Sequence, residues 1–283
     1  MAILSELVLY PVKSCAGISV REATLTKAGL SVDAVYDREW MVVGADGVFL
    51  TQREYPRMAL ISPRIKTETL ELRAPGMLRL EIPLGLPDPE DERTIEVKLW
   101  DDTWLAYDCD DTTAAWFSAA LGVACRLVRF HPSVTRVTST KWTGGIEAPT
   151  LFADGYPVLV IGSASLADLN DKLTAAGRDA LPMNRFRPNL VIDAMDAFEE
   201  DYAEKFVLGE AHLKPVKPCP RCPIPAVDQS TGVAGPDPLD ILGTYRTKAV
   251  LDGAICFGMN CIVTEGDGQR LHVGQAVTMT LAF

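Results

Sequence analysis

The chain has 283 residues, 48% of them hydrophobic, and carries 38 Asp and Glu against 27 Lys and Arg, a formal net charge of −11. At roughly 100–200 residues per domain this is one large domain or two modest ones with an ample core, which excludes a disordered chain. Nucleic-acid binders need a cationic surplus to displace phosphate counterions, so a polyanion partner is excluded unless the basic residues gather in one place.

The opening MAILSELVLYPVKSC has no basic region ahead of its apolar stretch and carries Glu6 inside it, so it reads as a strand and not as a secretory signal. Strands are predicted over Leu4–Tyr10, Ser19–Leu25, Trp40–Val43, Val48–Thr51, Leu70–Arg73, Leu78–Ile82 and Thr94–Val97, many with period-2 alternation and broken by turn residues. The Pro-, Gly- and acid-rich stretch 83–93 reads as an exposed loop. A helix is predicted from Asp111, with Asp and Thr ahead of TTAAWFSAALG and Gly122 as the stop. Composition then loosens in HPSVTRVTSTKWTGG, which suggests a junction and two domains, 1–128 and 129–283.

Beyond the junction come a strand at Val158–Ile161 and a helix SLADLNDKLTAAG, opened by Ser165 with Asp168 three residues on and closed by Gly177. Strands follow at Leu190–Ile192 and Phe206–Leu208, then a short helix behind the Asp237-Pro238 pair, and closing strands near Ile255–Val263 and Ala276–Leu281. The expected class is mixed α/β but strand-dominated. No apolar run approaches the roughly 18 residues of a membrane span. Seven thinly spread cysteines suit a reducing cytoplasm.

The sharpest local feature is KPVKPCPRCPIPAVD at 214–228, with Cys219 and Cys222 two apart among prolines and cations. A redox CxxC opens a helix, and Pro223 and Pro225 argue against one. Zinc needs further ligands, which Cys256 and Cys261 would supply only if both faced the same side of their strand. A third reading is one reactive thiolate, Cys222, presented by a proline-braced loop beside Arg221, Lys214 and Lys217. Two reduced cysteines that merely pack are the plain alternative.

In MNRFRPNLVID, an extended segment would put Arg185, Arg187 and Asn189 on one side, suited to a phosphate or a heterocycle edge; pairing of the arginines with surface carboxylates is the alternative. Lys13 and Ser14 in YPVKSCAG carry a weak phosphate signal, and no P-loop or GxGxxG strengthens it. His131, His212 and His272 have no partner at catalytic spacing, and no GxSxG serine is present.

Taken together, YPVKSCAG, DREWMVV, TQREYPRMALI, FADGYPVLVIGSASLADLN, NRFRPNLVI and CPRCPIPAVDQSTG, in this order, resemble the MOSC proteins, most closely the bacterial and mitochondrial amidoxime-reducing branch. The likeness covers nearly the whole chain. It implies an N-terminal β-barrel-like MOSC_N domain followed by a MOSC β-barrel domain with a few helices, and a molybdenum cofactor (Mo-molybdopterin) between the lobes. By resemblance Cys222 is the metal ligand, with Asp154 and Arg221 beside it in catalytic roles. Lys13, Ser14, Arg38, Arg187 and Asn189 surround the pterin and its phosphate, and Pro220, Arg221 and Asn260 complete the cofactor contacts. Pro220 stands where the family often has Ser, and Asn260 where animal relatives have Tyr.

The implied activity is reduction of N-hydroxylated small molecules by oxygen-atom removal. No CxxxxCxxC run is present to hold an iron–sulfur cluster, so electrons are expected from a separate ferredoxin-, flavodoxin- or cytochrome-type donor. Two other readings stand beside this one: a cofactor- or sulfur-carrier module without turnover of its own, and a zinc-stabilised β-protein.

Overall fold

The structure, a computed structural model, describes residues 1–88, 90 and 92–282; within the predicted loop 83–93, Pro89 and Asp91 lie outside the described residues. Seven strands close into a barrel. Around it they run Val158–Gly162, Leu190–Asp193, Ala2–Leu9, Ala276–Leu281, Ala203–Leu208, Ala211–Pro220 and Ala254–Glu265, which returns to Val158–Gly162. All neighbours are antiparallel except Val158–Gly162 and Leu190–Asp193, whose parallel pairing requires a crossover. The helix Ser163–Ala175 lies in that crossover.

The first strand of the chain is thus a stave of a barrel otherwise built from residues after 157. Its apolar face explains the placement: Leu4, Leu7 and Leu9 are fully buried, and a register break between Leu4 and Glu6 adjusts the alternation. In the reverse sense Gln269–His272 leaves the barrel to pair with Glu22–Thr26.

Three small antiparallel sheets make up the rest. One orders Thr94–Leu99, Asp102–Asp108, Cys125–Phe130 and Trp40–Gly44; another runs Gln269–His272, Glu22–Thr26, Gly29–Val32 and Val35–Tyr36; the third is Ser62–Ile65, Thr69–Arg73 and Leu80–Pro83. The helix Asp111–Leu121 is capped by Asp110, whose Oδ1 accepts from Thr113 N at 2.6 Å, and stops at Gly122 in the left-handed conformation. Leu25, Trp40, Leu70 and Phe117 of these sheets and this helix share one core with Leu7, Leu190 and Phe206 of the barrel.

Several local expectations are corrected. Val48–Thr51 forms only isolated bridges. Ser165 is not a cap: the helix starts at Ser163, and Ser165 is buried, donating to Glu200 Oε2 at 2.8 Å and accepting from Phe198 N. The proline-braced loop is in its first part a strand, Ala211–Pro220. Only His212 and Leu213 have partners on both sides; Pro215, Pro218 and Pro220 pair on one side alone, with register breaks against Ala254–Glu265. An amide N–H is dispensable there, which is why prolines are tolerated.

Candidate cofactor site

Separate segments are pinned side by side by main-chain hydrogen bonds. Arg38 N donates to Tyr10 O (2.7 Å), Trp40 N to Pro11 O (3.0 Å), Lys13 N to Trp40 O (2.8 Å) and Phe152 N to Arg38 O (2.9 Å). On the barrel side Val8 N donates to Asn189 O and Asn189 N to Leu159 O, both at 2.9 Å. Among the described residues nine non-glycine residues have positive φ, and four of them, Ser14 (64°), Arg38 (51°), Trp100 (59°) and Arg187 (56°), line one cavity. Left-handed backbone at side-chain-bearing residues is costly and gathers where function requires it.

That cavity, of about 260 Å³, lies where the first-lobe segments meet the barrel. All ten residues expected at the site line it: Lys13, Ser14, Arg38 and Asp154 on one side of the sequence junction or just past it, then Arg187, Asn189, Pro220, Arg221, Cys222 and Asn260. Asn260 reaches it from the strand Ala254–Glu265, opposite Leu159. Sequence reasoning missed Arg53, Trp100, Tyr156 and Phe186 as further lining residues. Arg53 lies inside the quoted TQREYPR run. Trp100 is the turn between two strands, with no neighbouring residue type to single it out.

The centre of the site is a buried polar network. Asp37 pairs with Arg38, accepts from Tyr10 N at 2.8 Å and accepts from Asn189 Nδ2 at 3.0 Å. Asn189 Oδ1 accepts from Arg38 Nη1 (3.0 Å) and Leu159 N (3.1 Å), and its Nδ2 also donates to Val8 O. The Arg38 and Arg187 guanidiniums lie 4.5 and 4.3 Å from the Tyr10 ring centroid. Burial pushes the Tyr10 hydroxyl up to about 12 and holds Arg187 below its ordinary value, with the Arg38 cation acting in the same direction on Arg187. Arg187 Nη1 is buried without a hydrogen-bond partner among the described residues. A buried unpaired donor on a cation is costly and fits an anionic ligand that supplies the missing acceptor.

Lys13, almost fully buried, donates to Phe152 O at 2.9 Å and Asp154 Oδ1 at 2.6 Å. Burial lowers its pKa, and Asp154 opposes that effect. For Asp154, desolvation would raise the carboxyl, but the Lys13 ammonium, with Arg38 and Arg53, outweighs it and holds the group at about 2. Its side chain is 70% exposed at the cavity mouth, so solvent screens this pair.

The arginine and cysteine motifs divide differently from expectation. Arg185, expected on one side with Arg187, sits in a 3-10 turn, Met183–Arg185, and is spent on Pro225 O, Ala226 O and Asp228. The segment is not extended, so the two-residue spacing does not align the side chains. Arg221 donates to Phe186 O at 2.8 Å and to Cys219 Sγ at 3.2 Å; its guanidinium is thus engaged by the first cysteine of the pair. Cys222 has no side-chain hydrogen bond among the described residues, and all seven cysteines are free thiols. Among the described residues no three His, Cys, Asp or Glu side chains converge as a metal site, so the two cysteine pairs offer no zinc ligand set.

Cations from both halves of the chain, an amide and one open thiol face a common cavity, a donor set whose chemistry fits a polar anionic ligand. Residues 1–124 match the MOSC N-terminal beta barrel domain and residues 147–278 the MOSC domain, and the chain belongs to this family. It is 35% identical over 269 residues to mitochondrial amidoxime reducing component 2 of Rattus norvegicus, covering 90% of this chain and 77% of that one. It is 33% identical over 297 residues to a molybdenum cofactor sulfurase of Oryza sativa subsp. japonica, covering 97% of this chain and 35% of that one. Among solved structures, the YUAD protein of Bacillus subtilis aligns over 98% of this chain and 94% of its own, with TM-score 0.42 and 11% identity. No helix among the described residues is long and apolar enough to cross a membrane.

Proposed function

We propose that the cavity binds a molybdenum–pterin cofactor and that the protein uses it to reduce N-hydroxylated small molecules, drawing electrons from a separate donor protein. The observation that carries this reading is the buried Arg187 guanidinium, short of a partner, set beside Arg38 in a cavity that also exposes Cys222. The likeness to amidoxime reducing components supports the reaction class.

Lys13, Ser14, Arg38, Arg187 and Asn189 receive the phosphate and pterin with charged and amide donors. The Cys222 thiolate is the protein's ligand to the metal. When bound, the cofactor supplies the oxygen-atom acceptor and two-electron store. Asp154, ionised above about pH 2, presents an acceptor at the mouth for the N–H or N–OH of the substrate. Arg221 is a positioning residue that braces the cysteine segment through Phe186 O and Cys219, while Pro220 and Asn260 shape the wall. The division into units at 1–128 and 129–283, and residence in a reducing compartment such as the cytoplasm, belong to the same proposal.

The test is metal and pterin content of protein made in a cofactor-competent host, with turnover of a hydroxylamine or amidoxime driven by reduced viologen. Near-stoichiometric Mo that is lost in Cys222→Ser and retained in Cys219→Ser is expected; undiminished Mo in Cys222→Ser sinks the ligand assignment. The sulfurase likeness favours a second reading, a cofactor- or sulfur-carrier module. It predicts persulfide on Cys219 or Cys222 and no viologen-driven turnover.

A further inference from the structure

Two cation-bearing tryptophans lie near the cavity, Trp100 on its wall and Trp142 connected to the lining residue Tyr156 through Lys217. Trp100 is 43% exposed on a cavity wall, with the exposed Arg53 guanidinium 4.9 Å from its ring. Trp142, in the one-turn helix Thr140–Thr143, has Lys141 Nζ at 5.7 Å and Lys217 Nζ at 5.4 Å from its ring. Lys217 also lies 6.0 Å from the ring of Tyr156, which lines the cavity, and Lys214 Nζ sits against Gly144 at the end of the same helix.

None of Arg53, Lys141, Lys214 or Lys217 has a carboxylate within 4.0 Å among the described residues. On a chain of net charge −11, four cations without a carboxylate partner near one cavity are unpaired positive charge beside the single ion-paired carboxylate, Asp154, that lines it. Exposed Trp with Arg or Lys is also the composition of interface anchors. The buried cations of the cavity hold the cofactor in the proposed function, whereas Arg53 is exposed on the cavity wall and the three lysines are not among its lining residues, so these four are open to a counter-charge on an approaching partner.

We propose that this rim is the docking face for an acidic electron-transfer protein, which places its carboxylates against Lys141, Lys214, Lys217 and Arg53 and its redox centre over the opening. The proposal rests on the reductase reading, since that reaction consumes two electrons and two protons per N–O bond cleaved and releases water. A carrier with acidic surface is steered by such a patch, while a small cationic reductant is not.

The experiment uses holoprotein and the triple variant Lys141→Glu/Lys214→Glu/Lys217→Glu, with Lys141→Gln/Lys217→Gln as the milder form; none of these lysines lines the cavity. The donors are reduced [2Fe–2S] ferredoxin, flavodoxin and cytochrome b5, all acidic, and reduced methyl viologen. Expected is a fall in kcat/KM of about 10-fold or more for an acidic carrier in the triple variant. The wild type should show a steep loss between about 0.05 and 0.2 M salt, and viologen-driven turnover should fall far less than carrier-driven turnover in every variant. Binding of the oxidised carriers, measured by calorimetry on the same samples, should weaken in parallel and needs no turnover. Absent viologen turnover with carrier binding intact and lysine-dependent would overturn the reductase reading and leave the docking face standing. Carrier-driven rates or affinities indifferent to the lysines overturn the proposal. So does reduction only by a basic or neutral carrier, or lysine-dependent binding to phosphatidylserine vesicles in place of the acidic carriers.

Discussion

Asn189 Oδ1 accepts a hydrogen bond from Arg38 Nη1 at 3.0 Å across a sequence separation of 151 residues. The amide does not merely touch the arginine. Through its other contacts it joins the barrel strands Ala2–Leu9 and Val158–Gly162 to the Asp37-Arg38 turn, so one buried side chain sets the distance between the lobes and the aim of a cavity cation.

Replacing Asn189 by Ala leaves Asp37, Leu159 N and Val8 O each short of a partner in a dry site. The expected loss is about 2–3 kcal/mol, read from urea unfolding. Asn189→Asp is expected to be at least as damaging despite its shape, because it sets a second carboxylate against Asp37 at about 3 Å. An Asp variant as stable as wild type would show that the amide is not held as described.

Arg187 should behave in the opposite sense. Its guanidinium is buried with Nη1 unpaired, so Arg187→Met removes a desolvated cation while keeping the bulk that packs on Tyr10. Apo protein is expected to melt higher and the holo preparation to carry less Mo and pterin. Thermal melts of apo protein together with metal analysis check this pair of signs; a lower apo melting point would mean that the cation is satisfied without a ligand.

Asp154 predicts part of the acid limb of stability. Its folded pKa, about 2, lies below the ordinary aspartate value, so the native state stays ionised where the unfolded chain takes up a proton. The contribution is therefore complete above about pH 4 and is lost as pH falls through 2. Asp154→Asn should flatten the fall in urea-measured stability across that window and, at neutral pH, leave the buried Lys13 ammonium with a neutral amide oxygen beside Phe152 O in place of a carboxylate. An unchanged slope in the variant counts against the ion pair.

Gly29 opens the strand Gly29–Val32 of a small sheet and lies against Pro157. Its φ is +116°, and a Cβ there would meet Pro157 O at 2.6 Å, next to the 153–156 segment that lines the cavity. Gly29→Ala is expected to cost about 1–3 kcal/mol and to lower Mo retention through displacement of that segment. Guanidinium unfolding and metal content measured together test it, and full retention of both would mean that the segment yields freely.

Much of the fold was legible because strand and helix signals are local. Alternation marked Leu4–Tyr10 and Trp40–Val43 within a residue or two, and Asp110 with Gly122 bounded a helix whose capping needs only neighbours in sequence. The Ala211–Pro220 strand was not legible, since whether a proline is tolerated depends on which side of the strand is paired. Arg187 was picked out together with Arg185, and the 3-10 turn Met183–Arg185 followed by left-handed backbone at Arg187 separates their roles.

By itself the sequence determined the class of elements, the family through six ordered motifs, and the residue types able to meet a phosphate, a pterin and a metal. Tertiary structure alone decided that the first strand completes a barrel built by the last half of the chain. It also decided that Arg221 turns to Cys219 and Cys222 is left open, and that Lys13, Arg38 and Arg187 converge in a molecule of net charge −11. The reason is physical. Propensity and alternation act within a few residues, whereas pairing, burial and the summed field of several charges depend on segments more than a hundred residues apart and exist only once the chain has closed on itself.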